Sequence, residues 1–164
     1  MRKATIMEAL ENTAPQPVAF ICTPRPDGNT NLAPVAWWTF LESEPPMMGF
    51  SMAKESYTCE ILSASESGKV AICLPSEVIA DEVLKCGSVS GREADKAKEY
   101  AIELTGDGEL KYPVHSKLVY LCHVSQKVIV GDCVFFVCAI DEILLDESKK
   151  HIYTLGKSEK LGAL

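Results

Sequence analysis

The sequence lacks a long apolar run and a cluster of basic residues. No segment approaches the ~20 consecutive apolar residues of a membrane-spanning helix, and the first residues, with Glu8 and Glu11 close behind Met1, do not form the apolar stretch of a secretory signal. The formal net charge is -7 and the pI is about 5.0, whereas binding a polyphosphate backbone requires a basic surface. These features predict a cytoplasmic protein that binds neither membranes nor nucleic acids.

Metal-ligand spacing, a disulfide framework and two common catalytic signatures are also missing. The seven cysteines include no Cys-x-x-Cys pair, and the three histidines are scattered, so no metal site is predicted. Neither Gly-x-Gly-x-x-Gly nor Gly-x-Ser-x-Gly occurs, which argues against a Rossmann dinucleotide site and against a serine hydrolase. Cys73, Cys122 and Cys138 lie in apolar, β-prone runs, which predicts reduced and buried thiols.

The spacing of apolar residues predicts a single domain over residues 1–164, with its core at about residues 17–145. Helical spacing predicts a helix at residues 5–12, one from Tyr57 that Gly68 ends, one from Pro75 to Cys86 and Gly87, and a short one at 92–100. Strands are predicted by β-prone runs at residues 17–23, 32–41, 47–52, 70–74, 118–130, 134–145 and 152–155. Because short turns join strands at both ends of this order, we expect a mainly antiparallel barrel with a few helices.

Four polar residues stand between a predicted strand and a predicted helix: Ser51, Lys54, Ser56 and Thr58. Hydroxyls, an ammonium group and the unpaired N–H groups of a first helical turn together suit a phosphate. Alternatively, Ser56 or Thr58 only caps the helix while Lys54 is solvated. From spacing alone the two interpretations are equally good.

Two further segments are candidates for ligand contact. Trp37 and Trp38 are consecutive in a strand and so face opposite ways, which allows one of them to lie against a flat ring, although structural packing is the usual role of such residues. Residues 86–92, CGSVSGR, combine two glycines with a cation, but a flexible surface loop has the same composition. An aromatic strand beside a hydroxyl-rich, cationic loop suits a ligand with a flat ring and a phosphate, such as flavin mononucleotide (FMN).

Four ordered segments, NLAPVAWWTF, SEPPMMGFSM, AKESYTCEIL and CGSVSGREADK, resemble the flavin reductase-like family and its flavoredoxin-type branch. The resemblance covers residues 18–145. It implies a Greek-key split β-barrel, non-covalently bound FMN and a homodimer with FMN near the subunit interface. Trp38 stands where a smaller or single-ring aromatic residue is common in the family, and it bears on how open the flavin face is: an obstructed face would favour electron exchange with a small carrier over hydride transfer from a nicotinamide.

The resemblance also implies which residues contact FMN. The ring-contacting strand is matched by Ala36, Trp37, Trp38 and Thr39, the phosphate and ribityl loop by Ser51, Lys54, Ser56 and Thr58, and a closing loop by Cys86, Gly87, Ser90, Arg92 and Lys96. We expect Cys86 to line the ligand site, although a redox-active thiol activated by nearby cations is an alternative.

The implied function is an FMN-dependent oxidoreductase in which the flavin performs the chemistry and no side chain acts as nucleophile or general base. NADH, NADPH or a small redox carrier would exchange electrons with it. One alternative is an electron-transfer or flavin-carrier protein without NAD(P)H turnover. Another is a flavin-free barrel that serves as an interaction module.

Overall fold

The computed structural model describes residues 1–155 and 157–163 and contains mainly β-strands. The helices are α1 (Ile6–Glu11), α2 (Tyr57–Ala64), α3 (Ala80–Ser88) and α4 (Lys96–Glu99), and a 3₁₀ turn spans Glu77–Ile79. The strands are β1 (Gln16–Pro17), β2 (Ala19–Pro24), β3 (Thr30–Val35), β4 (Trp38–Ser43), β5 (Pro46–Ala53), β6 (Lys69–Pro75), β7 (Leu104–Thr105), β8 (Tyr112–Pro113), β9 (Ser116–Val130), β10 (Cys133–Leu145), β11 (Ile152–Leu155) and β12 (Lys157–Ala163).

Seven strands form one antiparallel sheet in the order β3-β2-β6-β9-β10-β5-β4. The long hairpin of β9 and β10 turns at Gly131, whose φ of 57° suits glycine, and Asp132, as the sequence predicts. A smaller sheet, β1-β11-β12, brings the C-terminal hairpin beside the start of β2. The short strands β7 and β8 pair separately.

The two edges of the main sheet are joined directly by the chain. Val35 ends β3 at one edge, and Trp38 begins β4 at the other. Three residue steps span at most about 11 Å, whereas seven flat strands would separate the edges by about 29 Å. The sheet therefore has to curl until its edges meet, which makes it a barrel.

The prediction of one continuous strand over residues 32–41 is wrong. β3 pairs with β2, whereas β4 pairs with β5 at the opposite edge. The chain changes partner at Ala36 and Trp37, where the carbonyl of Trp37 accepts a hydrogen bond from the N–H of Ser51 (3.0 Å). Both halves are β-prone, so local sequence does not mark the corner.

The strands bury one set of side chains inside the barrel and another beneath the helices. The inner core contains Ala19, Ile21, Met48, Phe50, Cys59, Leu62, Val70, Ile72, Leu74, Tyr120, Cys122, Val134, Phe136 and Cys138. The outer core contains Val18, Phe20, Cys22, Leu32, Ala71, Cys73, Ile79, Val83, Cys86, Ile102, Val119 and Ile152. The predicted burial of Cys73, Cys122 and Cys138 is confirmed, while buried Ile152 extends the core beyond residue 145.

Helix α2 contributes Cys59 and Leu62 to the inner core. It begins at Ser56, whose Oγ accepts a hydrogen bond from the N–H of Cys59 (3.2 Å), as expected of an N-cap. It ends at Ala64 rather than at Gly68, because Ser65 takes an extended conformation; Gly68, with φ of 61°, forms the following turn. The helix predicted over residues 92–100 shrinks to α4, which Asp95 caps.

Among the described residues, no helix has both the length and the apolar character needed to cross a membrane.

Phe136 is fully buried and its ring stacks on that of Phe50, with centroids 5.3 Å apart. We predict that Phe136→Ala lowers the free energy of unfolding by about 3–5 kcal/mol, because it leaves a cavity in the inner core. Ile6, which is 72% exposed, provides the control: Ile6→Ala should change this free energy by no more than about 0.5 kcal/mol. Urea denaturation measures both, and equal effects would contradict the assignment of the inner core.

Candidate functional site

Two neighbouring hollows share part of their lining. The polar hollow, of about 390 Å³, is lined by Asn31, Ala33, Met52, Glu55, Ser56, Tyr57, Thr58, Gly87, Ser88, Val89, Ser90, Gly91, Arg92 and Lys96. The apolar hollow, of about 520 Å³, is lined by Val18, Pro34, Val35, Ala36, Val83, Leu84, Lys85, Gly87, Ser88, Thr154 and Leu161. Gly87 and Ser88 belong to both linings, so the two hollows adjoin there, and together they are named the groove.

The first turn of α2 faces the polar hollow through Ser56, Tyr57 and Thr58. The N-cap Oγ of Ser56 satisfies the N–H of Cys59, but the N–H groups of Tyr57 and Thr58 have no acceptor within the helix. These donors and the positive end of the helix dipole favour an anion. Ser88 and Ser90 add hydroxyl groups from the opposite wall.

A buried polar network supports the floor of the polar hollow. The Nδ2 of Asn31 donates to the Oγ1 atoms of Thr58 (2.9 Å) and Thr23 (3.2 Å), and all three residues are buried. Gly91 packs on the other side of Asn31, so closely that a Cβ at this glycine would collide with the Asn31 Oδ1. Strand β3, helix α2 and the loop at residues 89–95 therefore converge on one amide side chain.

Arg92 joins that loop to α2. Its Nε and Nη2 donate to the Oε2 of Glu60 (2.9 and 2.6 Å), and its Nη1 donates to the carbonyl of Glu55 (2.9 Å). Its Cζ lies 5.5 Å from the centroid of the Tyr57 ring, within cation–π range. The guanidinium thus closes one wall of the polar hollow while its charge is shared with Glu60.

Lys96 is buried and its Nζ donates to the carbonyls of Cys86 (2.6 Å) and Leu32 (2.9 Å). Burial of the ammonium group lowers the pKa of Lys96. These bonds join α4, α3 and β3 behind the groove. The ammonium of Lys96 is therefore a structural link between three elements as well as part of the lining.

The thiol of Cys86 packs in the outer core. Burial raises its pKa to about 12, against the opposing effect of Lys96. A thiol must ionise to act as a nucleophile, so the burial of Cys86 favours a structural role over the alternative of an activated, redox-active thiol. The carbonyl of Cys86, rather than its sulfur, supports the site.

The structure brings together about half of the residues that the sequence nominates. Ser56, Thr58, Ser90, Arg92 and Lys96 line the polar hollow, Ala36 lines the apolar hollow, and Gly87 lines both. The others, Trp37, Trp38, Thr39, Ser51, Lys54 and Cys86, lie outside the lining of the two hollows in this structure. Lys54 is exposed and its backbone N–H donates to the carbonyl of Asp132 (3.0 Å).

Trp37 and Trp38 differ in environment, although Trp37 lies at the corner between β3 and β4 rather than in one strand with Trp38. Trp37 is 54% exposed. Trp38 is half-buried against the inner core, its Nε1 donates to the carbonyl of Pro17 (3.0 Å), and its ring meets Phe40 edge-on. Because Trp38 packs into the barrel, it does not cover the apolar hollow.

Several residues of the groove carry no local signal of their role. Asn31 stands in a strand, Lys85 on a helix surface, and Thr154 and Leu161 in the C-terminal hairpin. Only the closed barrel brings these segments together. The proximity of polar Asn31 to the apolar residues of β3 is the one clue that sequence reasoning could have used.

Comparison with known proteins identifies the family. The sequence matches the flavin reductase-like domain over residues 12–162. The chain belongs to the flavin reductase-like family. The predicted resemblance is thereby confirmed.

Solved structures resemble this flavin reductase-like protein over nearly its whole length. The FMN-binding protein of Thermus thermophilus with bound p-hydroxybenzaldehyde gives a TM-score of 0.84 at 20% identity, covering 99% of this chain and 94% of that one. Flavoredoxin of Desulfovibrio vulgaris (Miyazaki F) gives 0.84 at 20% identity, covering 100% and 93%. Nitrilotriacetate monooxygenase component B of Bacillus cereus gives 0.85 at 13% identity, covering 100% and 96%. At such identities the likeness concerns the fold, and it confirms the predicted split barrel.

Two curated relatives match over shorter stretches. An uncharacterized protein of Archaeoglobus fulgidus is 24% identical over 109 residues, which are 65% of this chain and 60% of that protein. YddH of Escherichia coli is 33% identical over 72 residues, 44% and 37% of the two chains. The matches span less than two thirds of either relative.

A substitution at Gly91 tests how closely the loop at residues 89–95 packs against β3. We predict that Gly91→Ala lowers the free energy of unfolding by about 1–3 kcal/mol, because its Cβ collides with Asn31 and approaches the Tyr57 ring to 3.0 Å. At Gly87, in α3, a Cβ would lie 3.4 Å from Pro34 Cγ, an ordinary contact. Gly87→Ala should therefore be neutral or slightly stabilising in urea denaturation. Equal stability of Gly91→Ala and Gly87→Ala would contradict the close packing of Gly91 against Asn31.

Proposed function

We propose that this protein binds FMN non-covalently along the groove and transfers electrons through it. The observation that carries the proposal is that a polar hollow suited to an anion adjoins an apolar hollow at Gly87 and Ser88. FMN has a phosphate at one end and a flat ring at the other. Volumes of about 390 and 520 Å³ are within the ordinary range for small-molecule sites.

The residues of the groove fit the two ends of FMN. The N–H groups of Tyr57 and Thr58, with the hydroxyl of Ser90 and the charge of Arg92, would hold the phosphate. Pro34, Val35, Ala36 and Leu84 would hold the ring and exclude water from it. When bound, FMN supplies the redox chemistry, so the chain needs only to orient it and to tune its surroundings.

The names of the related structures agree with this proposal. The Thermus thermophilus protein is FMN-binding, and the Bacillus cereus protein is a component of a monooxygenase. A reductase that accepts electrons from NADH or NADPH is our first choice. The position of Trp38 supports it, because an indole packed in the barrel leaves the apolar hollow uncovered for a nicotinamide.

An FMN-containing electron-transfer or carrier protein is the second candidate. It would use the same groove but exchange electrons with a small redox carrier and show no turnover with NAD(P)H. The groove disfavours a flavin-free barrel that serves as an interaction module. Such a module would not need the first turn of α2, strand β3 and the loop at residues 89–95 to converge on a hollow suited to an anion.

We further propose that two chains form a homodimer with FMN near the interface. An apolar surface supports this: Phe40, Leu41, Pro46, Ile140 and Ile143 line a hollow of about 550 Å³ on β4, β5 and β10, and Phe40 and Ile143 are more than half exposed. Exposed apolar patches of this kind mark interfaces.

Sedimentation velocity of the wild-type protein should give the mass of two chains. Ile143→Asp should shift the measured mass toward that of one chain, because it places a charge in the apolar surface. A wild-type protein with the mass of one chain would contradict the proposed homodimer.

FMN binding is tested by purification and titration. The protein should be yellow or become so with added FMN. We predict that Arg92→Met weakens FMN binding by about 1.5–3 kcal/mol, the contribution of a hydrogen bond to a charged group, because Arg92 lines the polar hollow, while riboflavin, which lacks the phosphate, binds unchanged. Lys98→Ala, which removes a cation at an exposed position on α4, is the control. Unchanged FMN affinity in Arg92→Met would place the phosphate away from this arginine, and a protein that binds no FMN would overturn the proposed function.

Anaerobic mixing separates the two flavin-dependent candidates. For a reductase, NADH or NADPH should bleach the absorbance of bound FMN near about 450 nm, because the nicotinamide can donate hydride to the ring. Dithionite provides the control that the bound flavin is reducible. If dithionite bleaches the flavin and neither nicotinamide does so, the electron-transfer candidate replaces the reductase.

A further inference from the structure

Arg25, in the turn between β2 and β3, reaches across to the loop that closes the polar hollow. Its Nη1 donates to the carbonyls of Gly91 (2.7 Å) and Ala94 (3.0 Å), 66 and 69 residues further along the chain. Its side chain is only 13% exposed. Its Cζ also lies 5.6 Å from the centroid of the Tyr57 ring at the start of α2. One guanidinium thus contacts both walls of the polar hollow.

The turn that carries Arg25 orients it. Its Nη2 lies 2.9 Å from the Oδ2 of Asp27 and its Nε donates to Oδ1 (3.2 Å), while its backbone N–H donates to the carbonyl of Asn29 (2.8 Å). The backbone N–H of Asn29 donates to Oδ1 of Asp27, and this bond, aided by Arg25, lowers the pKa of the Asp27 carboxyl. Asp27 is therefore a carboxylate at neutral pH. The planar guanidinium of Arg25 is therefore held on one side by the carboxylate of Asp27 and on the other by the carbonyls of Gly91 and Ala94.

We propose that Arg25 is a positioning residue that holds the loop at residues 89–95 against the start of α2 and thereby sets the affinity for the phosphate end of the ligand. The proposal rests on the proposed function. Arg25 is outside the lining of both hollows, so it acts through the carbonyls of Gly91 and Ala94 rather than by touching the ligand. Its position fits this role because the loop it holds carries Ser90 and Arg92.

Arginine is better suited to this position than lysine. The two carbonyls and the carboxylate lie around one guanidinium, whose five N–H groups point in fixed directions within a plane. A lysine ammonium on a flexible stem can reach one carbonyl but does not reproduce the fork. Arg25→Lys should therefore retain part of the function that Arg25→Met loses.

The test compares FMN with riboflavin, which has the same ring and ribityl chain without the phosphate. Dissociation constants are measured by fluorescence quenching for wild type, Arg25→Met, Arg25→Lys and Asp27→Asn. We expect Arg25→Met to weaken FMN binding about tenfold, which corresponds to about 1.4 kcal/mol, and to leave riboflavin binding unchanged. Arg25→Lys should fall between wild type and Arg25→Met. Asp27→Asn, which keeps both carbonyl contacts, should have the smallest effect.

The outcomes distinguish this inference from the proposed function. If wild type binds no FMN, the proposed function fails and the inference fails with it. If wild type binds FMN and Arg25→Met binds it equally well, only the inference is overturned. An equal loss for FMN and riboflavin also overturns it, because Arg25 would then support the fold rather than the phosphate end. Should Arg25→Met fail to fold, the ratio of the two affinities in Arg25→Lys decides in the same way.

Amide hydrogen exchange of the ligand-free protein gives a second readout. If Arg25 holds the loop, the amides of residues 89–95 should exchange faster in Arg25→Lys than in wild type, while those of β9 and β10 should not change. Unchanged exchange in the loop would contradict the positioning role.

Discussion

The link of two residues, Ala36 and Trp37, between strands at opposite edges of one sheet is the constraint on which the rest of the fold depends. Because this link is too short to cross a flat sheet of seven strands, the sheet has to close, and closure separates an inner core from an outer one. Helix α2 lies between β5 and β6 in the chain and packs Leu62 into the inner core, which leaves its first turn at the barrel rim. Closure of the barrel therefore also places the polar hollow of the groove at the rim, beside the first turn of α2.

At that rim, three cationic side chains hold the groove together. Lys96 joins α4 to the carbonyls of β3 and α3, Arg25 joins the turn before β3 to the loop at 89–95, and Arg92 joins that loop to α2. All three donate to backbone carbonyls, and the two arginines also pair with carboxylates, Arg25 with Asp27 and Arg92 with Glu60. Taking the buried ammonium of Lys96 out of water is costly, which its lowered pKa illustrates. The carbonyls that accept its strong, charge-assisted bonds offset part of that cost.

Sequence reasoning succeeded where structure depends on local patterns. Val70, Ile72 and Leu74 alternate with Ala71 and Cys73, and the structure places these two sets in opposite cores. Ser56 was identifiable as a cap because capping is a contact over three residues. The partner change at Ala36 and Trp37 was missed, since β-prone residues flank it on both sides. Arg25 carries no local signal of its role, because its contacts with Gly91 and Ala94 exist only after the barrel has closed. The sequence therefore nominated both walls of the polar hollow but not the residue that joins them.

Under the proposed function the flavin would carry out the redox chemistry and the chain would only position it, so the contribution of Arg25 would be to hold the site in shape. Solved structures with the same barrel are only 13–20% identical to this chain, so the fold permits wide variation in sequence and does not by itself set the function. What the chain can vary is how tightly the groove closes, which charges face it and what covers the ring. In this protein Trp38 is half-buried against the inner core, and Cys86 lies in the outer core as a neutral thiol. If the groove binds FMN as proposed, selectivity among ligands would therefore depend on the loop at 89–95 and on the lining of the apolar hollow.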